Sequence, residues 1–129
     1  MYVIGGSYNR SDNTTIYQLD LKTMRWTYNK ATGMNSDNGN IPVSLDEHTA
    51  IQDTPDSVVT FGGFVGGERS NQVHRLDLTA KQWERIPIPD PKPAPRAGHG
   101  AAIHGKDMYV FGGKGEDNVK FNDFWKFDL

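Results

Sequence analysis

The sequence predicts an all-β fold built from a repeated unit. A Gly-Gly pair follows a short apolar run three times and ends at Gly6, Gly63 and Gly113, so that 57 and then 50 residues separate the copies. The runs between are short, rich in β-branched and aromatic residues, and bounded by Gly, Asn, Asp and Pro, which is typical of strands. No segment has a convincing helical period over about 11 residues. Recurrence at this spacing indicates a repeat architecture.

Composition narrows the class of protein further. The chain has 129 residues, 36% hydrophobic content and a net charge of −2, which suits one globular unit without a basic surface for nucleic acid. It contains no cysteine, so disulfides and thiolate chemistry are excluded and a reducing compartment is acceptable. The first residues lack the pattern of a signal peptide, and no apolar run approaches the roughly 20 residues that span a bilayer. We read the sequon Asn13-Thr14-Thr15 as chance.

Each repeat is interpreted as four strands, named A to D in chain order. Strand B is the apolar run that ends in the glycine pair, and it is apolar on both faces as expected for an inner strand. Strand C is an alternating segment that ends in Asp-Leu, at residues 16–21, 73–78 and 124–129. Strand D begins near Trp26 and Trp83, each of which follows the last leucine of strand C by five residues.

Strand A precedes the glycine pair and is predicted at residues 47–52 and 98–104, near His48 and His99. The glycines end strand B where the backbone turns sharply or approaches a neighbour. Tryptophan brings a large buried area to a contact between sheets. Arg96 and His99 have donors for backbone groups that a closing sheet would otherwise bury unpaired.

This pattern resembles the kelch repeat over nearly the whole chain. One copy contains Arg96-Ala97-Gly98-His99, Gly112-Gly113 and Asp128-Leu129. A second contains His48, Gly62-Gly63, Leu76-Asp77-Leu78 and Trp83, and the first contains Gly5-Gly6, Leu19-Asp20-Leu21 and Trp26. The second copy departs from the pattern, with Asp46-Glu47-His48 where Arg-x-Gly-His is expected, His74 at an aromatic position, and a long link before it.

The resemblance implies a β-propeller of four-stranded antiparallel blades, which closes with roughly four to eight blades. The chain supplies about two and a half blades. A blade without strand A spans residues 1–30, a complete blade 46–86, and a blade without strand D 96–129, with links at 31–45 and 87–95. We expect these ten strands to be a segment of a larger closed propeller. The alternative, an independent partial array, would expose sheet edges at both ends.

Function is predicted on the face that carries the long connections. Strand directions alternate, so the B–C connections (7–13, 64–70 and 114–121) and the D–A links emerge together, and such loops commonly carry recognition. Aromatic and arginine side chains are the usual anchors of interfaces. The candidate partner-binding residues are Tyr8, Arg10, Phe64, Arg69, Lys114, Lys120 and Phe121. The competing interpretation is that the aromatic rings cover a blade edge and the charges only solvate the loops.

The sequence contains no recognisable catalytic, cofactor-binding or metal site. The sequence has no Gly-x-Ser-x-Gly nucleophile elbow, no P-loop and no His-Glu-x-x-His zinc-binding motif. His48 and His99 occupy equivalent repeat positions, which favours an architectural role. Asp20, Asp77 and Asp128 also recur in register and are interpreted as hydrogen-bond acceptors at strand ends.

These observations favour a non-catalytic protein-interaction module or scaffold, in the cytoplasm and without cofactor, nucleic acid or membrane partners. Two alternatives stay open. The segment would target or regulate a fused catalytic domain such as a phosphatase, or it would be a structural part of a cytoskeletal or ciliary assembly. In each case the partners are proteins, or further blades or domains of the same gene product.

Overall fold

The computed structural model describes residues 1–7, 15–36 and 38–129, which form three main β-sheets in chain order. Strands β1 (Tyr2–Ile4), β2 (Thr15–Asp20) and β3 (Arg25–Lys30) form the first sheet, in that spatial order. We call it blade 1. It is antiparallel, with Val3 opposite Tyr17 and Tyr17 opposite Tyr28.

Blade 2 is the largest sheet and has five strands. The chain passes through β4 (Thr32–Gly33), β5 (Thr49–Thr54), β6 (Ser57–Phe61), β7 (Phe64–Val65), β8 (Glu68–Arg69), β9 (Val73–Asp77) and β10 (Gln82–Ile86). The spatial order is β4-β10-β9-β6-β5, while β7 and β8 form a small hairpin of their own.

Blade 3 is a three-stranded antiparallel sheet that contains β11 (Gly100–His104), β12 (Asp107–Phe111) and β13 (Phe124–Asp128). Short 3-10 turns occur at Met34–Ser36, Asn38–Asn40 and Glu116–Asn118, and the described residues contain no α-helix. The all-β prediction is therefore confirmed, and its ten expected strands correspond to the ten described strands that are longer than two residues.

The structure corrects the start of strand A. The pattern predicted strands at 47–52 and 98–104, whereas β5 and β11 begin at Thr49 and Gly100. Glu47 and Gly98 occupy equivalent places before these strands and both have positive φ, +48° and +63°. A residue in the left-handed region cannot continue an extended strand, so each strand begins beyond it.

The first link contains a strand that the pattern did not indicate. Thr32 and Gly33 pair in parallel with Gln82 and Trp83 on the outer edge of blade 2. Asn40 from the same link accepts a hydrogen bond from the Arg85 amide at 3.0 Å. An outer edge strand presents unpaired backbone groups, and this segment covers part of that edge.

Two apolar clusters hold the three blades together. The first lies between blades 1 and 2 and contains Ile16, Leu45, Leu76 and Trp83. The second lies between blades 2 and 3 and is formed by Val59, Phe61, Val73, Met108 and Val110, all of them fully buried. Each such side chain stabilises the fold by about 1.5–3 kcal/mol relative to exposure.

The two tryptophans at equivalent repeat positions differ in burial, which corrects the expectation for Trp26. Trp83 is 3% exposed because its face of blade 2 packs on blade 1, whereas Trp26 is 53% exposed. The corresponding face of blade 1 has no described sheet against it. Tryptophan burial thus depends on the neighbouring blade and not on the strand that carries the residue.

Two of the three recurrent aspartates, Asp20 and Asp77, close the tight turns after strand C, as the register indicated. Asp20 Oδ1 accepts hydrogen bonds from the amides of Lys22 and Thr23 at 2.8 and 3.0 Å. Asp77 Oδ1 does the same for Thr79 and Ala80 at 2.8 and 2.7 Å. The bonds from the Thr23 and Lys22 amides keep the pKa of Asp20 below its ordinary value.

Across the described ranges, no helix has the length and apolarity needed to cross a membrane.

Candidate functional site

The histidines and the glycine pairs form a repeated joint between neighbouring blades. A Cβ on Gly5 would lie 2.8 Å from His48 Cε1, and one on Gly62 would lie 2.7 Å from His99 Cε1. Each histidine therefore packs where the strand B of the preceding blade lacks a side chain. His99 also contacts Thr49 Oγ1 through Nε2 at 3.1 Å and meets the Phe61 ring edge-on at 5.0 Å.

Burial suppresses protonation of these rings. It lowers the pKa of His99 to about 4, with a further contribution from the Arg96 charge. Burial also lowers the pKa of His48, which the Asp46 carboxylate partly opposes. His74 packs edge-on against Trp83 of the neighbouring strand in blade 2, and burial lowers the pKa of His74 to about 4 as well. Neutral, packed histidines are consistent with the architectural interpretation.

The connections that follow the glycine pairs have the same backbone design in blades 2 and 3. Phe64 pairs with Arg69 in the β7–β8 hairpin, and Lys114 forms the equivalent bridge with Lys120. The residue that follows each of these bridges is hydrogen-bonded to the second glycine of the preceding Gly-Gly pair. The amide of Ser70 donates to Gly63 O at 2.8 Å, and that of Phe121 donates to Gly113 O at 2.9 Å. The two connections therefore present equivalent positions with different side chains.

Between these two connections lies a cleft of about 680 Å³, which we call the interblade cleft. Phe64 and Arg69 line it from blade 2, Phe121 and Val119 line it from blade 3, and Pro95 contributes from the link between them. The B–C connections of blades 2 and 3 and the second D–A link thus meet at one site. The remaining lining residues are Gly67, Glu68, Ala94 and Glu116.

Arg69 and Phe64 form the blade 2 wall of the cleft. The Arg69 guanidinium carbon lies 5.0 Å from the centre of the Phe64 ring, and Nη2 donates to Asn118 Oδ1 at 2.8 Å. A cation over an aromatic face at this distance contributes about 0.5–1 kcal/mol at exposed sites. Arg69 therefore joins the loops of the two blades, and its Nε has no hydrogen-bond partner among the described residues.

Phe121 forms the blade 3 wall, and its ring is held in place by the Arg96 guanidinium and by the Gly115 backbone. The Arg96 guanidinium carbon lies 4.3 Å from the centre of its ring. A Cβ on Gly115 would lie only 2.5 Å from the ring atom Cζ, so the ring lies directly on the Gly115 backbone. Its amide is bound to Gly113 O. The aromatic surface offered to the cleft is thus pre-positioned.

Arg96 is completely buried, and its guanidinium is bound within the protein. Nη1 and Nη2 donate to the two carboxylate oxygens of Asp123 at 2.6 and 2.8 Å, and Nη1 also donates to Gly112 O at 2.9 Å. Nε donates to Ala94 O at 3.1 Å. Trp125 Nε1 completes the site by donating to Asp123 Oδ2 at 2.6 Å. The hydrogen bonds from Arg96, then that from Trp125, lower the pKa of Asp123 to about 2.

The structure brings together three of the seven predicted partner-binding residues. Phe64, Arg69 and Phe121 line one cleft, whereas Lys114 and Lys120 are exposed backbone partners beside it. Tyr8 and Arg10 lie outside the described residues. Sequence reasoning missed Val119, which is 57% exposed, and Glu116, Asn118 and Pro95. Their position in the loop between Lys114 and Phe121, or next to Arg96, was the available signal.

Residues 1–7, 15–36 and 38–129 contain no group of three or more His, Cys, Asp or Glu side chains arranged to hold a metal ion. The strongly shifted titrating groups are His74, His99 and Asp123, and each is explained by packing or by the Arg96 ion pair. The cleft combines apolar and aromatic surface from Phe64, Val119 and Phe121 with one guanidinium, that of Arg69.

Comparison with known proteins gives one family across the chain. A family model described as the KLHDC2/KLHL20/DRC7 Kelch-repeats domain matches residues 1–129. The chain is 30% identical to kelch domain-containing protein 10 of Rattus norvegicus over 134 residues, which cover 100% of this chain and 32% of that protein. It is 26% identical over 136 residues to the leucine-zipper-like transcriptional regulator 1 homolog of Drosophila melanogaster, covering 100% and 13%.

A third relative is acyl-CoA-binding domain-containing protein 5 of Arabidopsis thaliana, which is 30% identical over 114 residues, covering 88% of this chain and 17% of that protein. The chain therefore spans less than a third of the length of each of these relatives.

Proposed function

The chain belongs to the kelch-repeat family, whose members are generally protein–protein interaction modules, and from this premise we propose that it binds a protein partner at the interblade cleft without catalysing a reaction. The occupant is an extended segment of the partner that inserts one apolar side chain between the rings of Phe64 and Phe121. The observation that carries the proposal is the convergence of two aromatic rings, each paired with an arginine, on one cleft of about 680 Å³.

The cleft has the features of a small binding site. Its walls are apolar, through Phe64, Val119, Phe121 and Pro95, while Arg69 supplies a charged donor at its side. Concave, largely apolar sites with a few fixed polar groups are the usual ligand sites of proteins. Because Phe121 is already held by Arg96 and Gly115, a partner spends little free energy on ordering it.

Charge does not select the partner by itself. The blade 2 hairpin carries Glu68 and Arg69, and the blade 3 loop carries Glu116 and Lys120. These opposite charges balance near the cleft, so we assign affinity to the aromatic anchors and orientation to Arg69. A hot-spot side chain typically costs 2 kcal/mol or more when truncated, which is roughly a 30-fold loss of affinity.

Peptide display on the purified chain tests the proposal. A random peptide library is selected against the protein, and the affinity of the best peptide is measured by fluorescence anisotropy. Phe121→Ala and Arg69→Ala are expected to weaken binding by about tenfold or more. The matched controls are Phe124→Ala and Arg25→Ala, which alter an exposed phenylalanine on the outer face of blade 3 and an exposed arginine in β3.

The controls should keep the affinity within about twofold of wild type, because neither residue lines the cleft. If Phe121→Ala and Arg69→Ala bind as well as wild type while a control loses affinity, the binding surface lies elsewhere. If all four variants bind equally, the cleft has no role in recognition.

The alternatives from the sequence remain predictions. The name of the Arabidopsis relative refers to an acyl-CoA-binding domain, which supports a role beside another domain in general. A targeting or regulatory role beside a catalytic domain such as a phosphatase stays a prediction. A phosphatase assay of the full-length gene product tests the enzyme-linked version. Fractionation of cells into cytosol and cytoskeleton tests the proposed cytoplasmic location and the cytoskeletal or ciliary alternative.

A further inference from the structure

We propose that Arg96 is a positioning residue for the interblade cleft, and that it acts through the ring of Phe121. The inference rests on the proposed function, because it assigns a device that shapes the same site. Arg96 is 0% exposed, so no partner can touch it. Its guanidinium nevertheless contacts a ring that lines the cleft, at 4.3 Å from the ring centre.

Blade 2 shows that the fold does not require a charge at this position. Leu45 occupies the equivalent place, since Leu45 O accepts the Gly6 amide as Arg96 O accepts the Gly63 amide, both at 2.8 Å. Gln72 stands in the place of Asp123, because Gln72 O and Asp123 O accept the amides of Gly62 and Gly112. The same backbone joint therefore forms with an apolar side chain.

The position of Phe121 is equivalent to that of Ser70, and both residues make the same backbone hydrogen bond to a second glycine. The Arg96–Asp123 pair and the aromatic ring thus occur together in blade 3 and are both replaced in blade 2. A buried ion pair is a poor source of stability compared with apolar packing. What the pair adds to blade 3 is a planar cation fixed against the Phe121 ring.

The contacts form a continuous chain from the core to the cleft. Trp125 packs against the cluster between blades 2 and 3 and donates to Asp123, which holds Arg96 through both carboxylate oxygens. Arg96 in turn contacts Phe121. The bidentate pairing leaves the guanidinium plane one orientation, and this orientation sets where the ring lies.

The test replaces the Arg96–Asp123 pair of blade 3 by the leucine and glutamine that occupy the equivalent places in blade 2. The double variant Arg96→Leu with Asp123→Gln removes both charges together, so that the buried Arg96 charge is not left without its partner. Two quantities are measured, the affinity for the display-selected peptide and the NMR chemical shift of the Gly115 α-protons. These protons lie against the Phe121 ring and report its position without any ligand.

We expect the double variant to weaken peptide binding by about tenfold and to move the Gly115 shift toward its random-coil value. In a Phe121→Ser background the same exchange should change affinity by less than about twofold, because the residue through which Arg96 acts is gone. Arg96→Lys is the second variant if the exchange does not fold, since it keeps the charge but not the planar stacking. It should produce the same two changes.

Wild-type affinity in the double variant would overturn the inference, as would a further tenfold loss in the Phe121→Ser background. An unchanged Gly115 shift in the folded variant, with or without peptide, would also overturn it. If no selected peptide depends on Phe121, the proposed function fails, while the Gly115 shift still decides whether Arg96 positions the ring.

Discussion

Substitution of Gly63 by alanine is expected to break the joint between strand B and strand A of blade 2. Gly63 has φ +77°, and an added Cβ would collide with Asp46 O and lie 2.7 Å from His48 N and 2.8 Å from His48 Cα. All three atoms belong to the backbone, so no side chain can turn away. The segment that contains them must move by close to 1 Å to restore ordinary contacts.

The magnitude follows from three costs. An alanine in the left-handed region costs about 1–2 kcal/mol. Moving the segment strains the two hydrogen bonds between Asp46 and Phe64, which measure 3.0 and 2.7 Å, and each contributes about 0.5–1.5 kcal/mol. Residual overpacking adds about 1–3 kcal/mol. We therefore expect Gly63→Ala to lower the free energy of unfolding by about 3–8 kcal/mol.

Gly105→Ala is the matched control. Gly105 has φ +62°, and an added Cβ would meet nothing within 4 Å, so that only the backbone cost of about 1–2 kcal/mol applies. Both variants are unfolded in urea and followed by tryptophan fluorescence, to which the buried Trp83 contributes. The reasoning is wrong if the two free energies of unfolding agree within about 1 kcal/mol.

The other predictions concern burial and charge. Trp83→Ala should lower the free energy of unfolding by about 3–5 kcal/mol. Trp26→Ala should lower it by much less, because Trp83 is 3% and Trp26 53% exposed. Equal losses in urea unfolding would contradict the assignment of Trp83 to the interblade core. The pKa values of His74 and His99 are depressed to about 4, so their stabilising contribution is complete above about pH 6.5 and is lost as the pH falls toward about 4. In a series of urea unfolding curves at different pH, His74→Gln should make the free energy of unfolding fall less steeply over this range. Asp123→Asn leaves the Arg96 charge without its counter-ion and should cost about 2 kcal/mol in the same assay, less than a fully buried pair because the Asp123 side chain is 38% exposed.

Much of the fold was accessible to sequence reasoning because the repeat provides internal checks. The glycine pair, the Asp-Leu end of strand C and the following tryptophan recur at matched spacing, and this register located the longer strands. Two features carried no such signal. Glu47 adopts a left-handed backbone conformation that residues other than glycine seldom adopt, and the strand Thr32–Gly33 is too short to show a period.

The candidate site was only partly accessible. Phe64, Arg69 and Phe121 were identified because aromatic and arginine residues are conspicuous in connections that were otherwise expected to be polar. Val119 and Glu116 carry no such mark, and they line the cleft only because the blade 3 loop faces the blade 2 hairpin. The contact between Arg96 and Phe121 joins residues 25 positions apart in the sequence, and no local pattern predicts it.

The sequence by itself determined the all-β class, the period of the repeat and the strands that each copy contains, because these depend on local alternation and on glycines that the backbone requires. Only the tertiary structure decided which equivalent residues differ in role. Trp83 is buried and Trp26 exposed, and Leu45 fills a core position where Arg96 holds an ion pair. The physical reason is that burial and pairing are properties of the space between blades, which two neighbouring repeats create together.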